Sequence, residues 1–509
     1  MPNRSDISPH PLPRPGTRPD PGATRRGDID IRPIAQVIGW LLVFMAGLML
    51  LPILVDLIDR RDGEGAFLRS ATLTGVAGSL LVIATANTGR GGLDTRQAIL
   101  LTVTIWVVLP LFGCLPFLFG PPHLAFTDAY FEAVSGITTT GATVIVGLDA
   151  LPPGINLWRG LLNWTGGLGI AFVAMIFLPL LRVGGMQFFR TEGFDTMGKI
   201  LPRAADIARS LAGIYLALTV IVILTYRVLG MTGLDAAVNG MATVATGGFS
   251  PSDASFAKYP GAAEYLGGLF MVLAALPYIR FVQLVNGDSR PLRHDPQARA
   301  FVLWLAVMVA AVTFWQYGTS QMGLEQAFRE TWFNLASIMT GTGFFSGSFA
   351  GWEGFAMSVA FVAGLIGGCS GSSSGALSVF RVQLCLRALA HQLRRVGLHS
   401  RVTALRYDGR PVKPDVIDGL ILFVTGYLVL IGTLAAALGL LGVDQVSAIF
   451  ASWTMLGNIG YGFGPLVAPT GTFIDFPEAA KWIMTLAMIL GRLGLLTLLV
   501  LLLPRFWRP

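Results

Sequence analysis

SGITTTGAT at residues 135–143, ATGGFS at 245–250, TGTGFF at 340–345 and LGNIGYG at 456–462 are four variants of one phrase, and each closes a short segment of similar build. The full segments read FTDAYFEAVSGITTTGAT from 126, GLDAAVNGMATVATGGFS from 233, FRETWFNLASIMTGTGFF from 328 and DQVSAIFASWTMLGNIGYG from 444. Gly141, Gly248, Gly343 and Gly460 serve as anchors, separated by 107, 95 and 117 residues. Thirteen residues before each anchor stand Asp128, Asp235, Glu330 and Ser447; nine before stand Glu132, Asn239, Asn334 and Ala451; six before stand Ser135, Ala242, Ser337 and Thr454. Such internal repetition is a statement about architecture before it is one about function.

The segments between the anchors give the repeat its setting. The chain of 509 residues is 53% hydrophobic and only 13% charged, about half the charge a soluble chain carries. Apolar windows long enough to cross a bilayer lie near 36–56, 71–88, 98–119, 156–182, 208–229, 262–286, 299–318, 355–389, 415–442 and 477–503. The four short segments, 127–140, 234–247, 326–342 and 444–459, are too short to span and read as re-entrant helices. The unit is therefore span, short helix, glycine turn, span, written four times. Its first three copies agree well; the fourth diverges and has Ser447 in place of the leading acid. The acids at the helix starts read as N-caps at the positive end of the helix dipole in preference to cation-attracting vestibule charges.

Charge sets the orientation. The net charge of +7 is concentrated in loops: Arg182, Arg190, Lys199, Arg203 and Arg209 after the fourth span, Arg290, Arg293 and Arg299 after the sixth, and Arg381 to Lys413 around the eighth. Residues 142–157, on the other side, contain no Lys or Arg. The basic loops belong on the cytoplasmic side, so the short helices enter from outside and both termini are cytoplasmic. Residues 1–32, rich in Pro, Arg and Asp, have no apolar core and read as a disordered cytoplasmic tail, not a signal peptide. The remainder divides into two extra spans (33–90) and repeats at 91–195, 196–295, 296–405 and 406–509.

A helix that stops mid-membrane points its negative C-terminal end inward and favours a cation there. Glycine after that end permits the positive φ that turns carbonyls toward an axis. Four copies would make rings of oxygens replacing the hydration shell of a dehydrated cation.

One further stretch breaks the membrane pattern. GGCSGSSSG, residues 367–375, interrupts the eighth span, and irregular backbone at that depth needs protein or a water-filled cavity around it. Alone it would also fit a sodium- or proton-coupled secondary transporter of another small solute, built from inverted repeats. The four copies all run in the same direction, which argues for a pore. An enzyme is not supported: the loop lacks the GK[ST] ending of a phosphate loop, and no nucleophile, base and oxyanion set groups at one face. The three cysteines form no CxxC and no histidine pair has metal-ligand spacing. Arg492, inside the last span, is costly there and is a functional candidate; Arg280 lies nearer the cytoplasmic end and reads as snorkelling.

The four glycine phrases, together with WRGLLNWTGGLGI (158–170), LPLLRVGGMQFFRTE (178–192) and GRLGLLTLLVL (491–501), resemble the Trk/Ktr/HKT potassium transporter superfamily, and within it the bacterial TrkH group. The likeness runs over about residues 36–503. It implies an all-α polytopic membrane protein with four M1–pore helix–M2 repeats around a central ion pore, preceded by two extra transmembrane helices. It implies potassium uptake across the bacterial inner membrane, with the filter facing the periplasm and K+ as the transported ion. No cofactor is expected on this chain. The potassium-binding filter would comprise Thr138, Thr139, Thr140 and Gly141; Thr246, Gly247 and Gly248; Gly341, Thr342 and Gly343; and Asn458, Ile459 and Gly460. The gate would be an intramembrane loop, Gly367, Gly368, Cys369, Ser370, Gly371, Ser372, Ser373, Ser374 and Gly375, together with Arg492. A membrane homodimer, the lipid bilayer and a cytoplasmic TrkA-type nucleotide-binding regulatory subunit are the implied partners, with no nucleic acid. Two positions depart from the resemblance: Ser378 stands where a lysine is expected and Gly494 where a glutamate is.

Overall fold

Prolines and glycines punctuate the apolar windows, and the helices follow them. A computed structural model describes residues 29–59, 64–87, 93–172, 204–397, 405–494 and 500–507. The tail up to residue 28, the segment 173–203 with Arg182, Arg190, Lys199, Arg203 and the whole of the LPLLRVGGMQFFRTE motif, and residues 495–499 of the last motif lie outside the described residues. Among the described residues the protein is helical apart from a two-residue hairpin, Arg406–Tyr407 with Arg410–Pro411.

Two helical hairpin arms precede the repeats. Arg32–Leu48 and Leu50–Asp59 form one apolar span with a break at Met49, where Pro52 has no N–H to give the Leu48 carbonyl. Glu64–Ala84 packs back along it. Gly39 and Gly78 meet face to face, each with no room for a Cβ against the other's carbonyl, so the two helices cross at backbone contact.

Each repeat then has a long outer helix, a short inner helix and a second long segment. The outer helices are Thr95–Gly113, Ala204–Val228, Pro296–Thr319 and Pro414–Leu440. They expose apolar side chains such as Leu216, Ile221, Leu303, Val307, Leu422 and Val429, which water would penalise and lipid would not. The short helices are Phe126–Ile137, Gly233–Ala245, Leu324–Thr340 and Gln445–Gly457, close to the windows read from sequence. They are buried over most of their length, with the first residues of the third and fourth exposed and all four C-terminal ends buried. The negative ends of their dipoles are therefore held inside the protein.

Among the described residues, the second segments of the second and third repeats depart from simple spans. The window 262–286 is not one helix: Ala262–Ala274 and Tyr278–Val285 are bent by 92° at residues 275–277. Pro277 explains this, since it cannot donate to the Leu273 carbonyl and disfavours helical geometry at the residue before it. The window 355–389 breaks as expected, into Gly354–Ile366 and Val379–Gly397 with the serine-rich loop between. The two breaks face each other. Cys369 N–H donates to the Ala275 carbonyl at 3.0 Å and Tyr278 N–H donates to the Gly371 carbonyl at 3.0 Å. Each discontinuity thus satisfies backbone groups that the other has freed.

Candidate ion pathway

All four glycine turns share one backbone plan. The residue before each anchor donates its N–H to the carbonyl six residues before the anchor: Thr140 to Ser135, Gly247 to Ala242, Thr342 to Ser337 and Ile459 to Thr454, at 2.8, 2.8, 2.8 and 2.9 Å. The residue two before the anchor is left-handed in every copy, at φ +51° for Thr139, +50° for Thr246, +74° for Gly341 and +52° for Asn458. The anchors are left-handed as well, at φ +82°, +69°, +82° and +84°. Three turns therefore hold a side-chain-bearing residue in a conformation that costs about 1–2 kcal/mol, which persists because the buried surroundings fix it.

The turns close into a ring. A Cβ on Gly141 would strike the carbonyl of Gly247, one on Gly248 the carbonyl of Thr342, one on Gly343 the carbonyl of Ile459, and one on Gly460 the carbonyl of Thr140. Each anchor faces the carbonyl of the next turn, in the order first, second, third, fourth and back to first. All four anchors line one cavity of about 60 Å³, with Thr143, Ser250, Asp253 and Tyr461 among its other walls. Side chains knit the ring: Asn458 Nδ2 donates to Thr140 Oγ1 at 2.9 Å and to the Met488 carbonyl at 2.9 Å, and Thr138 Oγ1 pairs with Thr140 Oγ1 at 2.7 Å.

The acids at the helix starts are not caps. Lys481 Nζ reaches Asp128 at 2.6 Å. Lys258 lies 3.1 Å from Asp235, whose carboxylate also accepts from the Tyr259 hydroxyl. Glu132 pairs with buried Arg159 at 2.8 Å. Capping falls to residues one turn earlier, Thr232 accepting from Asp235 N–H and Asp444 from Ser447 N–H. The fourth copy therefore does carry an acid, three residues ahead of Ser447. Further out, Asp149 accepts from Ser252 Oγ and Asp253 N–H; its partial burial opposes ionisation, but these bonds and Lys258 outweigh that and hold its pKa below the usual carboxylate value.

Beneath the ring lies the serine loop. Ser373 is fully buried there: its hydroxyl accepts from Thr246 Oγ1 at 3.2 Å, and its carbonyl accepts from Arg492 Nη2 at 2.5 Å. Gly375 packs so closely on the Gly457 carbonyl that a Cβ would not fit. The loop is braced internally by Ser374 Oγ, which accepts from Gly368 N–H at 2.9 Å, and by Ser370 Oγ donating to Ser378 Oγ at 2.8 Å. Gly367, Gly371, Ala376 and Ser378 all have positive φ. Below it, a second cavity of about 100 Å³ is lined by loop residues with Arg381, Phe423, Arg492 and Gly494. The sequence-derived sites thus fall into one column: ring, loop, arginine.

A family model described as "TrkH: Cation transport protein" matches residues 65–508. The chain belongs to the TrkH cation transport family. Its relatives include the Trk system potassium uptake protein TrkI of Halomonas elongata, 37% identical over 478 residues, covering 94% of this chain and 97% of that one. The Trk system potassium uptake protein TrkH of Escherichia coli is 35% identical over 488 residues, 94% of this chain and 99% of its own. The crystal structure of the potassium transporter TrkH from Vibrio parahaemolyticus superimposes with a TM-score of 0.87 at 32% identity, covering 94% of this chain and 100% of that one. This TrkH-family chain is accordingly a helical membrane transport protein and not an enzyme.

Sequence reading missed several participants. Arg159 and Glu264, inside second segments, are buried and engage the outer ends of neighbouring turns through Ser250 and Ser346. Arg381, one helical turn beyond Ser378, reaches the cavity that Ser378 also lines. A buried charge in an apolar window was the available signal for Arg159 and Glu264. Arg280 is not a snorkelling residue: its Nε donates to Asp295 Oδ2 at 2.7 Å, and the same carboxylate caps the helix Pro296–Thr319.

Proposed function

We propose that the chain is a potassium uptake protein of the bacterial inner membrane, with the ring of four glycine turns as its selectivity filter. The ring carries this reading: four turns of identical backbone plan, each anchor against the next turn's carbonyl, around one cavity. Potassium would shed water onto carbonyls at Thr139–Gly141, Thr246–Gly248, Gly341–Gly343 and Asn458–Gly460, with hydroxyls such as Thr139 Oγ1 alongside. Thr139 Oγ1 is buried and has no hydrogen-bond partner among the described residues, which suits an oxygen kept for an ion. Four short helices with inward C-terminal ends add favourable potential for a cation. The relatives' names, potassium uptake proteins over nearly full length, support the choice of ion.

The loop at 367–375 is the barrier in this reading, and Arg492 holds it shut. The guanidinium bonds to the loop's Ser373 carbonyl and sets a positive charge on the exit side, against a departing cation. Uptake is driven by the membrane potential, about 2.3 kcal/mol per elementary charge per 100 mV. The filter faces the periplasm and both termini the cytoplasm, by the loop charges. The working assembly is a membrane homodimer joined by a TrkA-type nucleotide-binding subunit, expectations that rest on the family resemblance. Expression in a potassium-uptake-deficient bacterium on low-potassium medium tests the function: growth restored together with a matching regulatory subunit supports it. Well-expressed protein that restores neither growth nor rubidium tracer uptake refutes it.

A further inference from the structure

The four turns share an inner plan but not an outer one. Nine residues before the anchor in the first copy, Glu132 spends its carboxylate on the strand that leaves the turn. It accepts from Thr143 Oγ1 at 2.9 and 3.0 Å and from Val144 N–H at 3.0 Å. At the same place in the third copy, Asn334 Oδ1 accepts from Ser346 N–H at 3.0 Å and its Nδ2 donates to the Ser346 carbonyl at 2.9 Å. Val144 and Ser346 each stand three residues beyond their anchors. The pore helix and the outgoing strand are thus pinned together behind the turn in both copies.

The other two copies cannot make this bond. In the second, the residue three beyond the anchor is Pro251, which has no N–H to donate. Asn239, at the position of Glu132 and Asn334, is left with its buried Oδ1 without a partner among the described residues. In the fourth, the position is Ala451, and among the described residues no hydrogen bond reaches Tyr461, Gly462 or Phe463. Those residues rest on rings instead, Tyr461 against Phe349 and Phe463 against Phe450. Because the ring runs in sequence order, the first and third turns are opposite each other, so the pinned pair spans the pore.

We infer that Glu132 and Asn334 are positioning residues for ion discrimination: by fixing the outgoing strands of two opposed turns, they fix the separation of the carbonyls across the pore. The second turn is steadied from its neighbour, since Arg159 Nη1, drawn by Glu132, donates to the Ser250 carbonyl at 2.7 Å. The fourth turn is the compliant side. A filter that discriminates ions by size needs at least one cross-pore distance that does not relax, and one pinned diagonal supplies it. This inference rests on the ring being a potassium filter.

The test is the potassium-to-sodium permeability ratio of the full-length protein in proteoliposomes, for the parent and for Glu132→Gln, Asn334→Leu and Asn239→Leu. The ratio falls at least about fivefold for Glu132→Gln and Asn334→Leu, the scale of one lost hydrogen bond. It stays within about twofold for Asn239→Leu, which has no such bond to lose. Should Glu132→Gln fail to reach the membrane, Thr143→Val carries the same expectation, since it removes one pin and leaves the Glu132–Arg159 pair in place. Unchanged ratios in the pinned variants, or an equal fall in Asn239→Leu, overturn the inference while leaving the filter intact. A parent that shows no preference for potassium removes the filter reading itself, and this inference with it.

Discussion

The Arg492 guanidinium donates to the carbonyl of Ser373 at 2.5 Å, across 119 residues of sequence. The contact joins the last membrane helix to a loop in the repeat before it. The same serine's hydroxyl accepts from Thr246 of the second glycine turn. A single residue therefore connects the ring above to the arginine below.

Arg492→Ala removes this tie. A hydrogen bond from a charged donor is worth about 1.5–3 kcal/mol, so the loop's open population should rise by about tenfold or more. Single-channel or tracer-flux recording of the reconstituted variant checks this. An open probability equal to the parent's would mean that the arginine is not holding the loop.

Cys369 reports the same event chemically. It is 2% exposed, and its N–H is bonded to Ala275, whereas Cys385 is only partly buried. In the parent, a thiol reagent should label Cys385 well ahead of Cys369. In Arg492→Ala the Cys369 rate should rise while the Cys385 rate stays constant. Equal rates in both backgrounds would argue for a loop that does not move.

The pair Asp128–Lys481 tests how the ring is supported at its outer edge. Lys481 is only 7% exposed, so Asp128→Asn leaves a buried charge without its partner, a loss of about 3–5 kcal/mol for a fully buried pair and somewhat less here. The melting temperature in detergent should drop for Asp128→Asn and recover in part for Asp128→Asn with Lys481→Met. No drop in the single variant would show that the pair contributes little.

Acid should loosen the outer loops first. The pKa of Asp149 is depressed in the folded state, so its contribution is present above the ordinary carboxylate pKa of about 3.9 and is lost as pH falls through the lower folded value. Proteolysis of the loop around Asp149 should accelerate below about pH 4 in the parent. In Asp149→Asn the loop should be cleaved readily at neutral pH and show little further acid response. A parent rate flat down to pH 3, on the order of one unit below that reference value, would show that the network is not what orders the loop.

Sequence alone carried much of this architecture because the decisive feature is repeated. Any one of the phrases around Gly141, Gly248, Gly343 or Gly460 is an ordinary glycine turn, but their common spacing from a polar-led short segment located all four turns. The loop was legible because nine small polar residues cannot sit unaided in hydrocarbon. The kink at Pro277 was readable in principle and was hidden by the length of the apolar window around it. What sequence could not show were pairings between separate elements, whether within one repeat or across two. Asp128 with Lys481, Glu132 with Arg159 and Arg280 with Asp295 depend on which helices become neighbours, so the acids read as local caps when they are long-range ties. The matching of one discontinuous segment to another, Ala275 with Cys369, was invisible for the same reason.

The central claim is that the glycine ring selects potassium, and Gly141→Ser addresses it most directly. A Cβ there has no room beside the Gly247 carbonyl and sits at a φ of +82°. Rubidium tracer uptake into proteoliposomes, competed by potassium and by sodium, is the measurement. The account predicts that potassium competes at concentrations at least about tenfold below sodium in the parent, a difference of about 1.4 kcal/mol, and that Gly141→Ser shrinks or reverses this gap. Equal competition by the two ions in the parent, or an unaltered preference in Gly141→Ser, would contradict it.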